Sequence, residues 1–282
     1  MRVVKKPICV IDDVYDICVN GVSNIIERRK LNSVRDIVII DSKRYDMYAN
    51  DKKLFILQPL TSLYYGINQD DIKKLYTNQL VPKKKKKGRE IYDKIMSLAY
   101  LNKCPFCGIG VVSTLDHYLP KSEFPIYAVF PYNLVPSCKD CNTGKSASFA
   151  IRKDKQTLHP YYDDLTREQW LFATVVDTYP LSIKFFVNPP YYWDFVSKAR
   201  VKAHFIDYDL AKRFSIEASN ELAKLNSSFS IKEFNFMQIK GQLIHEERTY
   251  KNIHLNSWES ALYQALAESD WYCREGYKQG VL

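Results

Sequence analysis

No stretch of this chain approaches the roughly 18 consecutive apolar residues of a membrane-spanning helix. A helical membrane protein is thereby excluded. The start, Met1-Arg2-Val3-Val4-Lys5-Lys6-Pro7, has a basic tip, but Asp12, Asp13 and Asp16 interrupt the next stretch, so no signal peptide is expected there. There is no internal repeat, and no low-complexity tract apart from the lysine run 83–87. Histidine is scarce, with five in 282 residues, so few positions can do imidazole chemistry. A cytoplasmic protein is the expectation. Thiols stay reduced there, so closely paired cysteines point to metal ligation rather than disulfides.

The composition is that of a soluble globular protein, 46% hydrophobic and 26% charged, long enough for one to three domains. The net charge of +9 is unevenly placed. Residues 1–103 carry 21 Lys and Arg against 12 Asp and Glu, whereas residues 104–282 carry 20 of each. All the excess positive charge therefore precedes the first cysteine pair. Such asymmetry suits contact with a polyanion, whose neutralised phosphates release counterions. A solvated linker that aids solubility is the plainer alternative for the lysines.

The first hundred residues read as helix. Ser33-Val34-Arg35-Asp36 has capping-box character before a stripe of Val34, Ile37, Val38, Tyr45 and Tyr48. A second helix is expected from Asn68 through Ile72, Leu75, Tyr76 and Leu80. Pro82 and the lysines then read as an exposed loop closed by Gly88, followed by a helix with Ile91, Tyr92, Ile95 and Met96. Between residues 104 and 149 the order is strand (Val111 to Tyr118), a proline-rich loop with Pro120, Pro125 and Pro131, a short strand, and a helix with Asn142, Lys145 and Ser146. Beyond it, Ala173, Val175, Ile183, Phe185 and Val187 alternate around Pro180 as a hairpin. From Leu210 the chain is helical again, with Leu222, Leu225 and Phe229 in one stripe and Ser257 capping a last helix through Leu262, Ala265 and Leu266. Three regions result: 1–100 basic and helical, 101–150 the cysteine module, 151–282 mixed and then helical.

Two C-x-x-C pairs, Cys104-Pro-Phe-Cys107 and Cys138-Lys-Asp-Cys141, bracket Asp116-His117 and Asn133, and the second pair runs into Asn142. Each pair grips an ion from a tight turn, and four thiolates complete the tetrahedron that Zn²⁺ prefers. Together with Leu115-Asp116-His117-Tyr118-Leu119-Pro120-Lys121 and Asn133-Leu134-Val135-Pro136-Ser137, through Asn142-Thr143-Gly144-Lys145, this segment closely resembles the HNH endonucleases. The resemblance covers about 45 residues and leaves the rest of the chain unexplained. It implies a ββα-metal fold, DNA cleavage and dependence on a divalent ion. The fold class expected is thus α+β: a mainly helical chain enclosing a zinc-stabilised ββα-metal (HNH) module, with a small β-hairpin region after it.

Within that expectation His117 is the general base, Asp116 and Asn142 hold Mg²⁺ or Mn²⁺, and Cys104, Cys107, Cys138 and Cys141 hold zinc. Asn133, by resemblance, ties the loop near His117 to the backbone. Asn142 departs from the third histidine of the family's name and shifts the expected metal toward oxygen-loving ions. The resemblance also implies an anti-phage or restriction-type effector acting on DNA, with RNA not excluded, and an ATPase or other defence-system protein as partner. A non-catalytic zinc module that docks nucleic acid or protein is the alternative. Lys121 and Lys145 are weaker candidates for phosphate contact, and His159 for an approach to the site. His204, His245 and His254 read as core or surface, Cys9, Cys18 and Cys273 as core thiols. Tyr191-Tyr192-Trp193 reads as a buried aromatic cluster more readily than as a base-stacking surface.

Overall fold

The computed structural model describes residues 1–59, 67–145 and 148–279. The chain forms two compact units, one of Arg2–Asp163 and one of Asp164–Leu282 together with Met1. The regions 1–100 and 101–150 thus share one unit, and the boundary falls at Asp163 rather than at residue 150.

In the first unit, α1 (Ile11–Asn20) packs against α2 (Ile25–Ser33), α3 (Arg35–Asn50) and α5 (Lys86–Met96). Helix α3 buries Val34, Val38, Tyr45 and Ala49. It does not begin on a capping box: Val34 occupies the N-cap without a side-chain bond, and Ser33 instead donates to the Lys30 carbonyl in the last turn of α2. Helix α4 (Gln69–Leu75) begins on a true box, in which Asn68 accepts from Asp71 N–H and Asp71 accepts from Asn68 N–H. It continues as a π-helical turn, Tyr76–Leu80, and Ile72, Leu75, Tyr76 and Leu80 are buried as a stripe. The lysine run is shorter as a loop than expected, because α5 starts at Lys86 and takes in Gly88.

Helix α5 lies against both strands of an antiparallel pair, β1 (Thr114–His117) and β2 (Leu134–Ser137). Asp116 stands opposite Val135 and His117 opposite Leu134. The strand expected over 111–118 is therefore four residues long, and Val111 forms a separate bridge with Lys103. Two short turns, Pro125–Tyr127 and Pro131–Asn133, carry the proline-rich loop, and α6 (Lys139–Lys145) follows β2. Strand, loop, strand and helix occur in the expected order; Ser146 lies outside the described residues.

In the second unit, β3 (Leu171–Val176) and β4 (Ser182–Val187) form the expected hairpin, with Ile183 and Phe185 buried between exposed Ser182, Lys184 and Phe186. Helix α7 (Phe195–Asp207) starts on the Asp194 cap. It has no clean apolar stripe in sequence, because Arg200 and His204 sit among its buried residues. Helix α8 (Leu210–Ile231) packs on β4, and α10 (Trp258–Glu268), capped by Ser257, packs on β3 and α9 (Phe236–Ile253). A short α11 (Asp270–Arg274) comes next, so α10 is not the last helix. The chain is thus α+β, mainly helical, with two small antiparallel hairpins among the described residues. Among the described residues no helix is long and apolar enough to cross a membrane.

One expectation is reversed here. Tyr191 is 89% exposed and Tyr192 is exposed beside it, so residues 191–193 form no buried cluster. Tyr192 Oη and Trp193 Nε1 both donate to the Glu168 carboxylate, which holds their polar edges at the surface.

Asn256 shows how a single buried amide organises the second unit. Its Oδ1 accepts from Trp170 N–H at 2.8 Å and Leu171 N–H at 3.1 Å, and its Nδ2 donates to the Glu168 carbonyl at 2.9 Å. Asn256→Leu would orphan those backbone groups at about 1–3 kcal/mol each. A melting transition for residues 164–282 lowered by that amount is expected in denaturant titrations, and an unchanged midpoint would show that the amide is dispensable.

Candidate functional site

The four cysteines converge. Their Sγ atoms all lie within 4.8 Å of one another, every one is buried, and the Cys107–Cys138 separation is 3.9 Å. A regular tetrahedron of sulfur at about 2.3 Å from zinc has edges of about 3.8 Å, so the spacing fits that ion. Local backbone makes the turns. Gly108 takes φ +79°, open to glycine without strain, and donates to the Cys104 carbonyl at 2.7 Å. Gly110 N–H points at Cys107 Sγ (3.4 Å) and Cys141 N–H at Cys138 Sγ (3.5 Å), as donors that stabilise thiolate. Hydrogen bonding within the cluster holds Cys107 below the ordinary thiol range and Cys104 above it, a division of charge that a bound dication would remove by displacing the protons. These four residues could hold zinc.

Asp116 and His117 are neighbours on β1 and both are buried. The imidazole lies edge-to-face against Tyr76 at 4.5 Å, and its Nε2 is 2.9 Å from the Ala128 carbonyl. A carbonyl only accepts, so Nε2 carries the proton and Nδ1 presents its lone pair. Nδ1 has no hydrogen-bond partner among the described residues. Burial lowers the His117 pKa to about 3, partly opposed by the Ala128 contact, so the ring is neutral at physiological pH. Burial has the opposite effect on Asp116, raising its carboxyl to about 6 against the pull of the Lys145 ammonium. Asp116 Oδ2 is buried without a hydrogen-bond partner; its nearest cation is Lys145 Nζ at 3.9 Å. A buried carboxylate oxygen left so is a donor available to a hard cation.

Asn133 closes the loop that runs on from His117. Its Oδ1 accepts from Leu119 N–H at 2.7 Å and Tyr45 Oη at 3.1 Å, and its Nδ2 donates to the carbonyls of Leu119 (3.0 Å) and Tyr127 (3.3 Å). Tyr45 is also 3.1 Å from His159 Nε2. His159 is thus part of this buried network, packed on Tyr118 at 4.1 Å and edge-on to Tyr162. The sequence marked Tyr45 only as one residue of a helical stripe and offered no sign of this contact, which reaches the loop from α3.

Asn142 is half-buried on α6, its N–H bonded to the Cys138 carbonyl. It lies one turn before Lys145, on the same side of the helix. Lys145 is more than a solvated lysine near a loop. Its Nζ donates to the carbonyls of His117 (3.1 Å) and Tyr118, and burial lowers its pKa. Lys121 lies over the Tyr76 ring at 4.7 Å, with its pKa likewise lowered by burial. The structure therefore brings Asp116, His117, Lys121 and Lys145 into one neighbourhood, with Asn133 bracing the loop beside it. Of the other singled-out residues, His204, Cys18 and Cys273 are buried, His245 is exposed, and Cys9 and His254 are half-buried.

No protein-family model matches the chain, and no solved structure matches it. Protein ea31 of Escherichia phage lambda is 31% identical to it over 297 aligned positions, covering 97% of this chain and 99% of the phage protein. The chain belongs to the ea31 family. The likeness runs end to end, so it embraces both compact units and not the cysteine segment alone.

The cluster geometry carries a direct expectation. Purified protein should contain one zinc per chain by elemental analysis, and Cys138→Ser should lose it together with much of its stability, since structural zinc supplies about 10–16 kcal/mol in small domains. A zinc-free Cys138→Ser protein with an unaltered melting curve would show that the fold does not depend on the metal.

Proposed function

We propose that this protein is a metal-dependent endonuclease of the HNH type that hydrolyses DNA phosphodiester bonds. One observation carries the reading. Asp116 and His117 sit on the first strand of a β1–β2–α6 unit that has one cysteine pair before β1 and the other at the β2–α6 junction, and Asp116 keeps Oδ2 without a hydrogen-bond partner among the described residues.

In this reading the Ala128 carbonyl fixes the His117 tautomer, so Nδ1 takes the proton from the attacking water. A nearby phosphate would raise the imidazole pKa from its low resting value, because the anion favours the charged ring. Asp116 and Asn142 would hold a divalent ion, Mg²⁺ or Mn²⁺, which supplies charge stabilisation to the leaving oxygen. Asn133 keeps the 119–127 loop against the strand that carries His117. The basic first hundred residues supply the grip on DNA, since residues 104–149 have three Lys against three acids. A cytoplasmic anti-phage or restriction-type setting, with an ATPase or other defence-system partner, belongs to the same proposal and rests on the resemblance.

A second reading, a non-catalytic zinc module that docks nucleic acid or protein, is favoured by one contact. Lys145 Nζ already stands 3.9 Å from Asp116 Oδ2, where it could serve as a permanent counter-ion in place of a metal.

Plasmid nicking with Mg²⁺ or Mn²⁺ separates the two. His117→Ala should cut about 10²–10⁴-fold more slowly than the parent protein while it still folds and keeps its zinc. Asp116→Asn, close in volume, should raise the metal concentration needed for half-maximal rate. No cutting by the parent protein with either ion would sink the nuclease reading in favour of the docking module, and equal cutting by a folded His117→Ala protein would refute the assigned base. A matched RNA substrate in the same assay reads out the choice of nucleic acid.

A further inference from the structure

The first unit has a cavity of about 390 Å³ whose lining includes three cations and no carboxylate. It lies where the C-terminal end of α1 (Asn20, Gly21) meets the start of α5 (Lys85, Lys87), with Gln79 at its wall. We propose that this cavity binds the phosphate group of a phosphate ester, with Gln79, Lys84, Lys85, Lys87 and the first turn of α5 as donors. This site is distinct from the Asp116–His117 pair and does not rest on the nuclease reading.

Helix α5 is 11 residues long, has no side-chain cap and has no acid in its first turn. No side chain satisfies its leading N–H groups, and its partial positive charge favours an anion. A second observation is independent of the helix end. Gln79 is only 7% exposed, yet its carboxamide has no hydrogen-bond partner among the described residues. Its amide atoms are not wholly shut off from solvent, so they are open to a ligand on the cavity side.

Two glycines are explained by that same residue. A Cβ on Gly21 would collide with Gln79 Oε1, and a Cβ on Gly88 would collide with the Gln79 carbonyl oxygen. Gly21 has an ordinary helical φ of −74°, so space and not backbone conformation calls for glycine there. Both glycines admit Gln79 to its place at the mouth of α5.

The charges are arranged to the same end. Lys85 Nζ donates to the Gly21 carbonyl at 3.0 Å, so it covers the electronegative end of α1 that would otherwise repel an anion. Lys84 and Lys87 make no ion pair among the described residues, and their charges are free for a ligand. Gln79 also borders a second cavity of about 280 Å³, but there Glu27 and Asp71 outnumber Lys74, which is paired with Asp71, so an anion is directed to the first cavity.

Size narrows the chemistry. The volume falls within the usual range for small-molecule sites and exceeds what inorganic phosphate fills, and Ile17 adds an apolar wall for an organic substituent. A free mononucleotide and a backbone phosphate of nucleic acid share this chemistry.

The full-length protein titrated with adenosine 5′-monophosphate, and separately with a fluorescein-labelled single-stranded oligonucleotide, tests the site at fixed ionic strength. Gln79→Glu, which keeps the side-chain volume, and Lys84→Glu should each weaken binding about tenfold or more. Lys43→Glu, the same charge change on the exposed face of α3, should have little effect. Monophosphate binding with that pattern identifies a small ester as the ligand; oligonucleotide binding alone with that pattern identifies the backbone. Equal losses in Lys43→Glu and Lys84→Glu, no loss in a folded Gln79→Glu, or a parent protein that binds neither probe would overturn the proposal.

Discussion

Convergence of four sulfurs is the constraint on which the cysteine module depends. Strands β1 and β2 pair over only four residues each, and a two-stranded ribbon of that length is marginal alone. One cysteine pair precedes β1 and the other spans the end of β2 and the start of α6, so bringing them together fixes the hairpin at its open end and orients the helix. Helix α5 covers the pair from one side, and the amide of Asn133 ties the long connection between the strands. Remove the thiol cluster and only short-range pairing and that packing would hold Asp116 and His117 in place.

Burial then does the electrostatic tuning. Two adjacent residues on one strand are moved in opposite directions, Asp116 upward and His117 downward, because each loses solvent that would have stabilised its charged form. Lys145 reaches the same place from α6 and supplies one positive charge near the carboxylate. The balance among one acid, one neutral imidazole and one ammonium is what gives the region its chemical character. It also explains why Lys145 is bound to backbone carbonyls rather than extended into solvent.

The lysine run belongs to the architecture in a way that composition does not convey. Only part of it is loop, since α5 begins inside it, and Lys85 turns back to the end of α1. Gln79, Gly21 and Gly88 come from three separate stretches and meet because the π-helical turn after α4 sets Gln79 between α1 and α5. A positively charged segment is thus joined to a defined cavity, whereas the exposed aromatics at 191–192 have only the Glu168 carboxylate to anchor them.

Much of the local structure was legible from residue order. The C-x-x-C spacing, the strand–loop–strand–helix succession, the helix start near Asn68, the Ser257 cap and the alternation around Pro180 are patterns that act over one to four residues, the range over which backbone geometry itself repeats. Local codes failed where two signals competed, as at Ser33, whose hydroxyl found the carbonyl three residues back before it could cap α3. Tertiary structure alone decided that Tyr45 would meet Asn133 and His159, 88 and 114 residues away, that Lys145 would turn inward to β1, and that Tyr191 would face solvent. Those outcomes depend on which surfaces pack together and which polar atoms are left to be satisfied. No spacing in the chain encodes them, because the partners are neighbours only after the core has formed.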